Sequence, residues 1–129
     1  MTYIMSRQDF KLELSAVKSA LPRNKYMVAD LLYAAVVLDN LVSIDSICGA
    51  SRDAVNKSWR HRIWHLARVD LYMSSIQIAT LMSRDGSTIR KAQKEYAHLA
   101  VEETGMLDEM RAVAKDRAKT RTVGLRLCA

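Results

Sequence analysis

The sequence predicts an all-α protein, and three of its properties indicate that fold class. Half of the 129 residues are hydrophobic, with Ala, Leu, Met and Ile frequent and aromatic residues few. A single proline and four glycines are spread along the chain, so little in it interrupts a helix. The apolar residues recur three and four positions apart, which is the spacing of one helix face and not the alternation of a strand. We expect one domain with its own hydrophobic core.

The composition predicts a cytoplasmic protein and not a membrane or secreted one. No apolar run approaches the ~18 residues that a membrane span needs. The first ten residues, MTYIMSRQDF, lack the apolar core of a secretory signal. Cys48 and Cys128 are too few and too far apart to indicate a disulfide framework, so we expect two reduced thiols.

An amphipathic helix is predicted near the N-terminus, over about residues 7–20. Its apolar face comprises Phe10, Leu14, Val17 and Leu21. It ends before Pro22, because proline disfavours the helical conformation in the residue that precedes it. This helix either packs on the domain, which is the default, or pairs with a second copy of the chain. The next helix, over about residues 25–41, is apolar on most sides and is predicted to be the central buried helix.

A long helix is predicted from Ser51 or Arg52 to about Val69. The face expected in the core comprises Val55, Trp59, Ile63 and Leu66. Before this helix, residues 41–47 fit either a helix or a loop, and a loop follows them. Near the C-terminus, a last helix is predicted over residues 107–119, followed by a frayed tail.

The stretch from Ser74 to Tyr96, SSIQIATLMSRDGSTIRKAQKEY, is predicted to be a helix-turn-helix. Ser74 caps the first helix, and Gln77 completes a capping box. Asp85 is placed to cap the second helix at a backbone N–H group. The core faces comprise Ile78, Leu81 and Met82 in the first helix and Ile89, Ala92, Tyr96 and Leu99 in the second. The second helix is predicted to end near Gly105, since glycine commonly follows the last residue of a helix.

The positive charge of the chain is concentrated around this stretch. Residues 1–50 contain five Lys or Arg and five Asp or Glu, and residues 95–129 contain six of each kind. Residues 51–94 contain nine Lys or Arg and three Asp, so the whole net charge of +6 arises there. A localised basic surface is typical of proteins that bind phosphates. The alternative is a basic helix face that only meets solvent.

The exposed face of the second motif helix suits a DNA groove. It offers hydroxyls in its first turn and cations further along. Small polar side chains reach base edges, and cations bind phosphates. We therefore expect base contacts from Ser87, Thr88 and Asp85. Contacts to the phosphate backbone are expected from Lys57, Arg60, Arg62, Arg90, Lys91 and Lys94. Arg84 is expected either to contact phosphate or to brace the turn.

No pattern in the sequence indicates catalysis, a metal or a cofactor. His61 and His65 have a spacing that suits zinc, but Arg62 stands where the metalloprotease motif has glutamate. We expect histidines at the surface or facing phosphate instead. The glycines form no phosphate-binding loop, and the acidic residues suit helix caps and solvent-facing positions. Trp59 is expected in the core, whereas Trp64 fits either the core or a base-stacking surface.

Three segments follow one another in an order known from one protein family. They are HLAR at residues 65–68, SSIQIA at residues 74–79 and SRDGSTIRKA at residues 83–92. Together they resemble the C-terminal DNA-binding domain of the bacterial replication initiator DnaA, with the strongest similarity over residues 51–96. Arg60 matches the arginine of the family's long-helix motif. Arg84-Asp85 matches the Arg-Asp of the family signature, and Ser87-Thr88-Ile89 matches its two threonines and valine.

The resemblance implies a Trp-repressor-like helical domain in which the start of the second motif helix reads bases in the major groove. It also implies that an arginine in the loop before the long helix enters the minor groove, and Arg52 occupies that position. Gly86 stands where the family signature has histidine, and Ser83 alone replaces two glycines. Losing a base-contacting side chain costs about 1–3 kcal/mol of discrimination. The resemblance therefore does not assign the initiator's own DNA site to this chain.

The sequence thus predicts a non-enzymatic, nucleoid-associated protein of a bacterium or phage. It is expected to bind double-stranded DNA sequence-specifically and to regulate transcription or replication initiation. Three segments are expected: an N-terminal helix over residues 1–23, the DnaA-like domain over residues 24–105, and a C-terminal helix with a basic tail over residues 106–129. The alternative is a protein-interaction module that kept this fold and lost base readout. In that case the N- or C-terminal helix is the binding surface.

Overall fold

The computed structural model describes residues 26–128, with the side chains of residues 26–120. Six α-helices and no strands make up this part of the chain, so the predicted all-α class is confirmed for it. The helices are α1 (Val28–Leu38), α2 (Ile44–Cys48), α3 (Ala54–Val69), α4 (Ser75–Met82), α5 (Gly86–Glu102) and α6 (Thr104–Cys128). None of these helices combines the length and apolar character that crossing a membrane requires. The predicted helix over residues 7–20 lies outside the described residues.

The hydrophobic core is one cluster of buried residues to which all six helices contribute. Its large, fully buried side chains include Leu31 and Leu32 from α1, Ile63 and Leu66 from α3, Ile78 and Met82 from α4, Ile89 from α5 and Met110 from α6. α1 buries six of its eleven residues and packs against α2, α3 and α6, although Tyr33 and Val37 on its outer side are exposed. Val55, predicted on the core face of α3, is also exposed, because the buried face begins one residue later at Asn56. α6 packs along α1, so the C-terminal helix shares the core of the preceding helices.

The helix starts follow from short polar side chains at the capping positions. The capping box predicted at α4 is confirmed: the Ser74 hydroxyl accepts from the Gln77 N–H at 3.1 Å, and the Gln77 side chain accepts from the Ser74 N–H at 2.8 Å. Asp53 caps α3 by accepting from the Asn56 N–H at 2.9 Å. Residues 41–47, which fitted either a helix or a loop, contain both, because Ser43 caps the short helix α2.

The end of α5 differs from the prediction. α5 ends at Glu102, and α6 begins at Thr104, so Gly105 is a helical residue of α6 and not the residue that closes α5. No glycine in the described residues has a positive φ, the conformation that a closing glycine adopts. Leu99, predicted in the core, is 49 % exposed.

The C-terminal helix is also longer than predicted. α6 continues to Cys128, where a frayed tail from residue 120 was expected. Its apolar residues Leu107, Met110, Ala114 and Ala118 are buried at helical spacing in the shared core. Since no proline follows them and Gly124 alone among the next ten residues is a poor helix former, the helix has no strong stop signal.

Candidate nucleic-acid interface

Two arginines hold the loop between α2 and α3. Arg60 on α3 is only 7 % exposed, and its guanidinium donates to four backbone carbonyls of this region. These carbonyls belong to Ser46 (3.0 Å), Ile47 (2.6 Å), Gly49 (3.0 Å) and Ser51. Arg84, in the turn between α4 and α5, donates to the carbonyls of Cys48 and Gly49. The end of a helix leaves its last carbonyls without helical partners, and both arginines supply donors to them.

The burial of Arg60 contradicts the expectation that it contacts a DNA phosphate. It lies on the buried face of α3, four residues after Asn56 and three before Ile63. Its donors are directed at the loop carbonyls, so none faces a ligand outside the protein. The sequence does not reveal this role, because it depends on a loop whose carbonyls converge only after folding. For Arg84, the geometry assigns the bracing role, one of the two alternatives that the sequence allowed.

Arg62 is also engaged within the protein and not directed at phosphate. It makes a two-point ion pair with Glu103, with Nε to Oε1 at 3.0 Å and Nη2 to Oε2 at 2.9 Å. Its guanidinium carbon lies 4.5 Å from the ring centroid of Trp59. The Tyr96 hydroxyl donates to the same carboxylate. This cluster joins α3 to the junction of α5 and α6, so the expectation of a phosphate contact at Arg62 is not met.

The ion pair makes the stability of the protein sensitive to acid. Hydrogen bonds from Arg62 hold the pKa of Glu103 below its ordinary value of 4.5. A carboxyl whose pKa falls on folding stabilises the protein above its unfolded-state pKa, and this contribution disappears as the pH falls through the folded-state pKa. Glu103→Gln is therefore expected to lower the free energy of unfolding at pH 7 and to flatten its decline below about pH 4.5. Urea denaturation from pH 3 to pH 7 measures both effects. If the free energy of unfolding of the variant declines below about pH 4.5 as steeply as that of the wild type, the role assigned to Glu103 is wrong.

The start of α5 presents small polar side chains to solvent. Ser87 and Thr88 are both exposed. Asp85 occupies the N-cap position without a side-chain capping bond of standard geometry. It accepts from the Ser87 hydroxyl at 2.6 Å, and this bond, together with the nearby backbone N–H groups of Ser87 and Gly86, lowers the pKa of Asp85. The predicted contact with the backbone is therefore weaker than a standard N-cap, and Asp85 also orients the Ser87 hydroxyl.

Cations lie along the outer side of α5. Arg90, Lys91 and Lys94 are exposed, whereas Gln93 is buried and donates to the Trp64 carbonyl on α3 at 3.2 Å. Arg68, at the C-terminal end of α3, joins Arg90, Gln93, Lys94 and Ala97 around a shallow depression of about 240 Å³. Arg68 was not among the predicted site residues, because helical spacing shows only that it is exposed and not which helix it faces.

The remaining predicted contacts lie before and within α3. Arg52 is exposed in the loop held by Arg60 and Arg84, and Lys57 is exposed in the second turn of α3. Because Arg84 precedes α5 by two residues and binds the carbonyl of Gly49, the loop that carries Arg52 lies beside the start of α5. Of the predicted contacts, Arg52, Lys57, Ser87, Thr88, Arg90, Lys91 and Lys94 are therefore exposed on elements packed together, and Asp85 stands next to them.

The histidines and tryptophans of α3 are buried or half-buried beneath the basic surface. His61 and His65 pack on Tyr96, with ring centroids 6.3 Å and 5.3 Å away, and burial lowers the pKa of both. Trp59 donates to Asp39 at 2.9 Å and is buried, as expected. Trp64 is 3 % exposed, which assigns it to the core and not to a base-stacking surface. Within residues 26–120, no group of three or more His, Cys, Asp or Glu side chains is placed to hold a metal ion.

Comparisons with protein-family models, curated proteins and solved structures found no match. The geometry of the basic surface is therefore the main basis for a functional proposal. It combines a helix start with exposed hydroxyls, a neighbouring loop with an arginine, and a flank of cations. Cations and hydroxyls in this arrangement are complementary to a polyanion that also offers hydrogen-bonding groups.

Proposed function

We propose that this protein binds double-stranded DNA sequence-specifically through α5 and regulates transcription or replication initiation as a domain of the DnaA C-terminal type. In this proposal α4 and α5 form the helix-turn-helix of a Trp-repressor-like fold. The observation that carries it is the bond from Arg84 to the Gly49 carbonyl. That bond holds the loop of Arg52 beside the start of α5. In this proposal α5 reads the major groove, and Arg52 makes a second DNA contact on the same side of the domain.

The start of α5 is suited to the major groove. The first N–H groups of a helix lack helical acceptors and favour a nearby phosphate, which positions the helix on the duplex. Ser87 and Thr88 then reach base edges, and Asp85 accepts from the amino group of a cytosine. With α5 in the major groove, Arg52 in the neighbouring loop lies where the adjacent minor groove passes. Arginine is favoured there by the negative potential of a narrow minor groove.

The charge of this side supports binding to phosphates. Three of the nine basic residues in positions 51–94 are bound by carbonyls or a carboxylate of the protein, namely Arg60, Arg62 and Arg84. The six that are exposed are Arg52, Lys57, Arg68, Arg90, Lys91 and Lys94. Of the three acidic residues, Asp70 pairs with Arg111 at 2.7 Å. Asp53 and Asp85 are exposed and stay charged, since hydrogen bonds lower the pKa of both. The exposed side chains of this segment therefore carry six positive and two negative charges, so the surface keeps a net positive charge.

Two alanine variants distinguish base contacts from backbone contacts. Selection from a random duplex pool is expected to enrich one sequence, which then serves as the target beside a scrambled duplex. Thr88→Ala should lose about 1–3 kcal/mol of discrimination between them. Lys91→Ala should weaken binding to both equally and reduce the slope of log K against log salt by about 1. Fluorescence anisotropy at several salt concentrations measures both effects.

Lys115→Ala is the matched control, because Lys115 is an exposed cation on α6. It should leave affinity and slope near the wild-type values. If no sequence is enriched and binding to duplex does not weaken with salt, the proposed DNA binding is wrong. A protein-interaction module then becomes the better interpretation. The described part of α6 offers that reading little support, since its apolar residues Leu107, Met110, Ala114 and Ala118 are buried.

A further inference from the structure

The depression between α3 and α5 is lined by residues beyond the first turn of α5, although the Arg90 Nη1 reaches back to within 3.5 Å of where a Cβ on Gly86 would lie. Arg90, Lys94 and Ala97 follow one another at spacings of four and three, so they form one stripe along α5. Arg68 contributes from the last turn of α3. Gln93 is held to the Trp64 carbonyl, which fixes α5 against α3 at this point. Ala97 completes the lining with a methyl group.

None of the three cations that line the depression forms an ion pair within 4 Å in the described part of the chain, although Arg90 lies near enough to Asp85 for their charges to interact. The ion pairs formed by residues 26–120 join Arg62 to Glu103 and Arg111 to both Asp70 and Asp108. Arg68, Arg90 and Lys94 take part in none of them. Three like charges around one space repel each other, and an anion placed between them offsets this cost. An external anion would therefore be the first ion-pair partner of Arg68 and Lys94 among the described residues.

We propose that Arg68, Arg90 and Lys94 bind one phosphodiester group of the DNA backbone in this depression. Two guanidinium groups and one ammonium group, contributed by two adjacent helices, match an anion with several acceptor oxygens. The contact lies on the flank of α5 and not at its groove-reading start, so it fixes the position of the helix on the duplex without reading sequence. This inference rests on the proposed DNA-binding function and adds Arg68 to its contacts.

The test removes the three cations together and compares the result with a matched loss of charge. The variant Arg68→Ala/Arg90→Ala/Lys94→Ala loses three exposed cations from the depression. The control Lys115→Ala/Arg117→Ala/Lys119→Ala loses three exposed cations from α6. The full chain binds a labelled duplex of about 20 base pairs at several salt concentrations, on the selected and on the scrambled sequence. One lost phosphate contact should reduce the slope of log K against log salt by about 0.9 in the depression variant alone, with both sequences affected equally.

A second measurement tests anion binding without DNA. Pyrophosphate is titrated into the wild-type chain, and NMR follows the backbone amides of α5 and the arginine Nε–H signals. The expected result is a saturable shift of signals from Arg68, Arg90 and their neighbours that is absent in the depression variant and retained in the α6 control. Circular dichroism confirms that both triple variants remain folded, as exposed positions allow.

The outcomes separate this inference from the proposed function. A wild-type chain that binds duplex, with the same slope in the depression variant, leaves DNA binding standing and overturns the phosphate site. An equal loss in both triple variants also overturns it, because general charge then explains the effect. Pyrophosphate shifts without any duplex binding overturn the assignment to DNA phosphate together with the proposed function. No shifts and no duplex binding overturn both.

Discussion

Arg60→Ala is expected to lower the free energy of unfolding by about 3–5 kcal/mol, because it leaves buried carbonyls without donors. Arg60 donates from α3 to the carbonyls of Ser46, Ile47 and Ser51, and it shares the carbonyl of Gly49 with Arg84. The cavity left by the side chain adds to the cost. Urea denaturation followed by circular dichroism measures the loss. The loop that carries Arg52 should open before the rest of the domain, because it loses the hydrogen bonds of Arg60. Hydrogen exchange measures such local opening.

Two further variants separate the effect of Arg60 on folding from an effect on DNA binding. Arg60→Lys keeps the charge but offers a single ammonium group in place of the planar fork, so it should recover only part of the lost stability. Lys57→Ala removes an exposed cation from the same helix and should leave stability within about 0.5 kcal/mol of the wild type. If Arg60→Ala unfolds at the wild-type urea concentration and only loses affinity for duplex, Arg60 contacts DNA and the structural assignment is wrong.

The helices could be predicted from the sequence because their signals are local. The capping box of Ser74 and Gln77 lies within four residues, and its hydrogen bonds form within one turn of α4. The apolar spacing that placed Ile63 and Leu66 in the core also depends only on the geometry of one helix. The predicted end at Gly105 was wrong because a glycine closes a helix only in a left-handed conformation, and here it continues into α6.

The roles of the arginines could not be predicted, because they depend on contacts between distant segments. Arg62 pairs with Glu103, which lies 41 residues away in sequence, and Arg84 reaches a carbonyl 35 residues away. Helical spacing cannot separate an exposed arginine from one that folds back on a carbonyl. Arg68 shows the opposite case, since only the packing of α3 on α5 brings it to Lys94. The exposed hydroxyls of Ser87 and Thr88 required no such contact and were placed correctly at the surface.

Gly86→His is expected to increase discrimination for the DNA site of the DnaA family by about 1–3 kcal/mol, or roughly 5- to 150-fold in relative affinity. Gly86 is the first residue of α5. In the proposed DnaA-type assignment it stands where the family signature has histidine. Its φ is not positive, and an added Cβ would meet only the Nη1 of Arg90 at 3.5 Å, an ordinary van der Waals distance. The backbone therefore accepts a side chain without strain. In the proposed complex the imidazole lies beside Thr88 and adds a base contact that the glycine cannot make.

Gly86→Ala is the matched control, because it adds a Cβ at the same place without an imidazole. It should stabilise the helix start by up to about 1 kcal/mol, since glycine has more conformational freedom to lose on folding. It should leave the preference between the family site and a scrambled duplex unchanged. Affinities are measured by fluorescence anisotropy above about pH 7.5, where the imidazole is mostly neutral. A gain in affinity from added positive charge is thereby avoided. If Gly86→His and Gly86→Ala bind the two duplexes with the same preference, α5 does not read DNA in the manner of the initiator family. DNA binding would then depend on the backbone contacts of Arg68, Arg90, Lys91 and Lys94, which carry no sequence information.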